Sequence, residues 1–286
     1  MAWTHARAVG TGRITFTSGT ASALLLSGSR VAGAQLADGS RLAADLVVVA
    51  AGAWTPSLVD LSGLAVATGQ VLGYLRISAE EQERLGRSPV LLDLTDGLFV
   101  IPPRDGVLKV ARHSYGYLNP VSLPRAPLGK TTPESPRRVV SVPLTHLSPP
   151  SPSSPNDAIP PEGEAALRAG LRKLVPSLGD RPFFKTRLCW YTDTPTGDWI
   201  IDYHPRWEGL FVATGGSGHG FKFLPVLGDK IVDCIVGNPP EEFREKWKFR
   251  TVADDDDVER IIATEDGSRG GCPGLVLAEE WKQSKL

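Results

Sequence analysis

One stretch constrains the fold more than any other. Leu210 to Ala213 is a short apolar strand. It runs into Thr214-Gly215-Gly216-Ser217-Gly218-His219-Gly220-Phe221-Lys222. A helix follows, on which Leu224, Leu227, Ile231 and Ile235 recur on one face and Pro225 is tolerated in the first turn. Strand, glycine-rich loop and helix make an α/β unit. Unpaired N–H groups at a helix start favour negative charge, and glycines let a ligand approach the backbone. The loop suits an anion or an electron-rich ring, or else it is a plain strand-to-helix turn. It has neither the phosphate-loop spacing G-x-x-x-x-G-K-[ST] nor G-x-G-x-x-G in register.

A second strand candidate, Leu46 to Val49, ends in Ala50-Ala51-Gly52-Ala53-Trp54 and reads as buried on both faces. Small residues at its C-terminal end leave room for a ligand, as at the strand ends of open α/β sheets. Plain core packing explains them equally well. Before it, Ala23 to Leu26 and Val31 to Leu36 read as strands, with turns at Ser27-Gly28-Ser29 and Asp38-Gly39. Further strands are expected at Val66 to Ile77, Val90 to Leu92, Leu98 to Ile101, Val107 to Ala111, Thr186 to Tyr191 and Trp199 to Asp202. Helices are expected at Ala79 to Leu85, capped by Ser78, and at Glu162 to Leu174 after Pro161. Residues 120–161 hold half of the 24 prolines and read as an extended loop.

Composition removes whole classes of function. Of 286 residues, 41% are hydrophobic, which excludes wholesale disorder. Lys plus Arg number 31 against 32 Asp plus Glu, so no basic excess points to nucleic acid and no basic helix to a membrane surface. No apolar run approaches the ~18 residues of a membrane span, and MAWTHARAVG lacks a signal peptide's apolar core. Cys189, Cys234 and Cys272 are widely spaced without C-x-x-C, which argues against a disulfide framework and a zinc site, so no metal is expected. The chain reads as intracellular. The acidic run Asp254 to Asp257 reads as solvated surface. Ser284-Lys285-Leu286 matches the peroxisomal address read by the import receptor at a free C-terminus, against the alternative of an accidental tail.

Two short segments could carry chemistry. On a strand, Lys109, Ala111 and His113 share one face. A Lys held near a reacting group offers positive charge where negative charge develops, although a solvated edge strand would look the same. Cys189 and Tyr191 likewise share a face. A single intracellular Cys can be a nucleophile or an attachment point, or simply a small buried side chain.

Four blocks together resemble one family. They are VVVAAGAWTP at Val47 to Pro56, KVARHSYGYLNP at Lys109 to Pro120, CWYTDTPTGDWIIDYHP at Cys189 to Pro205, and ATGGSGHGFKFLPVLG at Ala213 to Gly228. Their order and wording are similar to the flavin-dependent amine oxidases of the monomeric sarcosine oxidase type. The likeness is greatest to the fungal saccharopine, pipecolate and fructosyl-amino-acid oxidases. It spans roughly residues 10–245. DGSRGG at Asp266 to Gly271 and the S-K-L end also match the fungal members.

The resemblance implies FAD as cofactor, attached through Cys189, with Lys109 as the lysine that activates oxygen. It implies that His113 and Tyr191 shape the substrate pocket and that Lys222 pairs with the substrate carboxylate. Ala51, Gly52, Trp54, Gly216, Gly218, His219, Gly220, Phe221 and Lys222 would line the cofactor. The implied fold is mixed α/β: a Rossmann-like FAD/NAD(P)-binding domain from residues 1–66 and 196–240, interleaved with an antiparallel-sheet substrate domain at 67–195. Residues 241–286 would be a tail. The implied reaction oxidises the C–N bond of a secondary-amine amino acid with O2, giving an imine and hydrogen peroxide. The family's opening βαβ unit with G-x-G-x-x-G is not found in this sequence, which implies an N-terminally truncated FAD domain. The alternative that follows is a non-catalytic remnant with an exposed sheet edge.

Overall fold

The computed structural model describes residues 2–124, 137–144, 159–250 and 264–283. Residues 125–136, 145–158, 251–263 and Ser284 to Leu286 lie outside this description, and with them the acidic run and the S-K-L motif.

The chain opens with α1 (Ala2–Gly10), a helix that the sequence reading had not marked. Next, β1 (Ala21–Ser27), β2 (Arg30–Leu36) and β3 (Arg41–Ala43) form an antiparallel three-stranded sheet, with turns where Gly28 and Gly39 adopt φ of 60° and 88°. Then β4 (Val47–Val49) leads through a 3-10 turn, Gly52–Trp54, into the short α2 (Thr55–Leu58).

The long strand β5 (Val66–Arg76) is the spine of a seven-stranded sheet. After α3 (Ala79–Gly86) come β6 (Leu91–Asp93), β7 (Leu98–Arg104), β8 (Val107–Arg112) and β9 (Tyr117–Leu118). Ser78 and Glu81 form the capping box that starts α3, each satisfying the other's backbone N–H. The proline-rich stretch is not all loop: β10 (Pro120–Pro124) and β11 (Arg137–Ser141) pair as an antiparallel ribbon. Two prolines sit in this isolated pair, where a missing N–H is tolerated, and they hid the strand in the sequence.

Helix α4 (Pro161–Leu174) precedes β12 (Lys185–Asp193), which pairs with β5 over its whole length. Val71, Leu75, Leu98, Val100, Leu108 and Val110 all point to one side of this sheet, where Leu167 and Leu171 of α4 pack on them. Gly170 permits the approach: a Cβ there would lie 2.8 Å from Leu98 Cδ1. Period-2 alternation sends Thr68, Gln70 and Tyr74 of β5, Lys109 of β8, and Cys189 and Tyr191 of β12 to the other side.

Finally, β13 (Ile200–Tyr203) and β14 (Leu210–Thr214) join β4 in a third sheet, in which β4 and β14 run parallel. Here β4 is an edge strand and Val48 is 42% exposed, so the expectation of burial on both faces fails on that side. A 3-10 turn, Gly220–Phe223, leads into α5 (Leu224–Ile235). Leu227, Ile231 and Ile235 pack inward as the pattern predicts, while Leu224 is exposed. The stretch beyond 240 is not simply a tail. β15 (Leu275–Val276) adds a parallel strand beside β9, and α6 (Leu277–Gln283) follows, starting at the fully buried Leu277. Among the described residues no helix is long and apolar enough to cross a membrane.

Candidate active site

Three chain segments converge. Because β4 and β14 are parallel, the turn after each leaves at the same end of the third sheet. Thr214 Oγ1 donates to Gly52 O at 3.3 Å, which joins the Ala51–Trp54 turn to the glycine loop. The loop also meets the end of β12: Ser217 N donates to Thr192 O at 3.0 Å, and Gly218 lies against Tyr191. Gly218 has φ of 75°, and a Cβ there would fall 2.5 Å from the Tyr191 ring, so no other residue fits without displacing it. Ser217 itself is buried in left-handed backbone at φ 44°, a conformation that a non-glycine residue holds only when its surroundings enforce it.

On the polar side of the large sheet, Cys189 stands opposite Gln70 and Tyr191 opposite Thr68. Cys189 is a half-buried free thiol; Cys234 and Cys272 are free as well. Lys109 is half-buried, with Nζ 5.8 Å from the Phe99 ring centre. Burial pushes the Lys109 ammonium below the usual lysine range; the nearby Cys189 opposes this and Arg187 adds to it. His113 lies just past the end of β8, its ring 5.8 Å from that of Tyr191. Burial, then the charge of Arg269, pushes His113 down to about 4, so it is neutral at pH 7. Burial pushes the Tyr191 phenol up to about 12, so it stays protonated.

Strand period groups Lys109 with His113 and Cys189 with Tyr191, but it does not report what holds them. Arg269 and Asp193, 2% and 4% exposed, form an ion pair at 2.7 Å. Arg269 also donates to Ser217 O at 2.9 Å, and its guanidinium carbon lies 5.4 Å from the Tyr191 ring centre. Asp193 accepts a bond from Thr68, which accepts one from Gln70, which in turn accepts from Ser114. Burial pushes the Asp193 carboxyl up, and Arg269 and Thr68 pull it back. Asp193 and Ser114 fall inside two of the four family-like blocks and Arg269 inside DGSRGG, but nothing local in the sequence pairs them.

His219 bonds Gly197 O at 2.9 Å and stacks near Trp199. Lys222 and Phe221 stand apart from this network. Phe221 is 77% exposed, and exposed Lys222 has Nζ 5.1 Å from the Phe223 ring centre. Among the described residues no cluster of His, Cys, Asp and Glu could hold a metal.

Comparison with known proteins gives the family and the fold. The chain belongs to the FAD dependent oxidoreductase (DAO) family, whose pattern matches residues 2–234. It is 35% identical over 246 residues to amino acid oxidase imqH of Aspergillus flavus, covering 77% of this chain and 51% of that protein. It is 31% identical over 218 residues to L-saccharopine oxidase of Schizosaccharomyces pombe, covering 76% of this chain and 47% of that one. A thermally stable mutant of fructosyl peptide oxidase superimposes with a TM-score of 0.77 at 29% identity, over 95% of this chain and 59% of that structure. The chain thus spans about half the length of the curated relatives it matches.

The family's cofactor is FAD, and the residues present fit a flavin ring. A Cβ at Gly52 would meet nothing within 4 Å, and one at Gly216 only the Gly220 Cα at 4.0 Å, so the two turns border space that protein does not fill. Gly218 of the second turn lies against Tyr191, whose sheet face also carries the Cys189 thiol and the Lys109 ammonium, side chains that suit a planar, electron-accepting group.

Proposed function

We propose that this chain is the catalytic part of an oxidase that opens the C–N bond of a secondary-amine amino acid. Saccharopine, pipecolate, an N-methyl or a fructosyl amino acid would serve, with O2 as acceptor and an imine and hydrogen peroxide as products. The observation that carries this reading is the single sheet face shared by Lys109, Cys189 and Tyr191, whose Tyr191 end lies against Gly218 of the glycine loop. The oxidase names of the relatives support the amino-acid class.

Bound FAD supplies a two-electron acceptor. The chain's own residues do the rest. Cys189 Sγ offers the attachment point. Lys109 keeps positive charge on the polar face, where reduction of a neighbouring ring adds negative charge. The N-terminal end of α5 and the turn before it add a partial positive charge from the other side. Ala51, Gly52 and Trp54 would hold the flavin from one turn, and Gly216, Gly218, His219, Gly220 and Phe221 from the other. Tyr191 presents a protonated hydroxyl and His113 an uncharged ring to the substrate, and Lys222 offers a cation to its carboxylate. The same reading takes Ser284-Lys285-Leu286 as a peroxisomal address, bound by the import receptor, in a compartment suited to a peroxide-forming enzyme.

The test is the visible spectrum of the purified chain before and after acid precipitation. Flavin bands that stay with the pellet, and move to the supernatant in Cys189→Ser, are the expected result. A folded but colourless protein would overturn the reading and leave a non-catalytic relative.

A further inference from the structure

Two consecutive residues of the 264–283 segment reach His113 from both sides of its ring. Arg269 Nη1 lies 3.4 Å from His113 Nδ1, and Ser268 Oγ lies 3.2 Å from Nε2. A guanidinium can only donate, so Nδ1 must accept and carries no proton. A neutral imidazole then bears its hydrogen on Nε2, which donates to Ser268 Oγ. The Ser268 hydroxyl is in turn committed: it donates to Asp266 Oδ1 at 2.7 Å, and Ser268 N donates to the same oxygen at 2.9 Å. Arg269 cannot swing away, because Asp193 Oδ1 and Ser217 O hold its other nitrogen.

We infer that Asp266, Ser268 and Arg269 form a positioning chain that locks His113 as the Nε2–H tautomer, with its ring tilted against Tyr191. The inference deepens the proposed function and rests on it for its purpose. A ring held neutral and in one orientation gives an amine substrate a wall of fixed polarity: a lone pair toward Arg269, an N–H toward Ser268, and no charge to repel a cation. The titratable and charged groups facing His113 are Arg269 and Asp266 from this segment, His219 from the glycine loop and Tyr191 from β12. None of the three residues of the chain needs to touch substrate; each acts through His113.

The test is independent of activity. The full chain is labelled with 15N-histidine, and long-range 1H–15N correlations report which ring nitrogen carries hydrogen. His113 is identified by the signals lost in His113→Gln. The expected wild-type pattern is protonated Nε2 and unprotonated Nδ1. Arg269→Gln, whose amide can accept as well as donate, should move the pattern toward a mixture of tautomers. Ser268→Ala should keep Nδ1 unprotonated and speed exchange of the Nε2 hydrogen, and Ser268→Thr should slow it again. Because Asp266 is exposed, Asp266→Ala offers a second variant that does not disturb a buried site. A wild-type ring protonated at Nδ1, or a tautomer pattern unchanged in Arg269→Gln together with unaltered Nε2–H exchange in Ser268→Ala and Asp266→Ala, would overturn the inference. Flavin retention in the same samples reports separately on the proposed function. A colourless protein with the Nε2–H pattern would refute that function and keep the lock.

Discussion

The two faces of β5 and its neighbours are built for different ends. On one, Val71, Leu75, Leu108 and Val110 meet Leu167 and Leu171 across a dry, fully buried contact. On the other, two positions away at most, Thr68, Gln70, Lys109, Cys189 and Tyr191 are polar, reactive or only half covered. Leu108 and Lys109 are adjacent in sequence and stand on opposite faces. On the proposed function, one sheet separates stability from chemistry by no more than the pleat of a strand. Substitutions on one side should change folding, and substitutions on the other should change activity.

The largest expected effect is on the polar face. Lys109→Met removes the charge and keeps the length, and should lower turnover by roughly 10²–10³-fold, the usual loss when one electrostatic stabiliser is deleted. Its urea midpoint should stay the same or rise, since a desolvated ammonium is gone. Steady-state oxygen consumption beside a denaturation curve checks both halves. Leu108→Ala is the mirror experiment. It should cost about 2–5 kcal/mol in urea unfolding, through lost burial plus a cavity beneath α4, while turnover of the folded fraction holds. If either variant moved both quantities strongly, the division of labour between the faces would be wrong.

The third and smallest effect is pH dependence. His113 has a folded-state value near 4 against an ordinary 6.5. Between these values the unfolded chain binds more protons than the folded one, so stability rises with pH. The contribution is complete above about 6.5 and is lost as pH falls toward 4. His204, packed on Phe249 in the third sheet and also near 4, adds a slope of the same sign. Thermal melts from pH 4 to 7 should therefore climb, and His113→Gln should remove the polar face's share and leave that of His204. Leu108→Ala should lower the whole curve without changing its slope.

The sequence made some of this legible and concealed the rest for identifiable reasons. Period-2 and period-3.6 patterns found β5, α4, β12 and the face that joins Cys189 to Tyr191, because these depend on neighbours a few residues apart. The Ser78 cap was readable for the same reason. Helix α1 was missed because residues 3–10 are exposed apart from a half-covered Ala8 and show no apolar stripe. Val48 was misread because an apolar strand at a sheet edge looks like one in the middle. The partners of Arg269, Asp193 and His113, lie 76 and 156 residues away in sequence, and no local pattern reports contacts at that range.

That same distance gives the 264–283 segment a kinetic meaning. Docking it on His113 closes a loop of about 155 residues, an entropy cost that local contacts do not share. The segment's backbone anchorage is short, a two-residue parallel strand and a single bridge between Ser114 and Gly270, with buried Arg269 and Leu277 as its main side-chain holds. It should be the last part of the chain to settle during folding and the first to lift when conditions turn unfavourable. Dilute denaturant would then release His113 and β15 while the other six strands of the large sheet stay paired. The chemistry would fail before the protein does, and activity would give earlier notice of damage than any measure of overall structure.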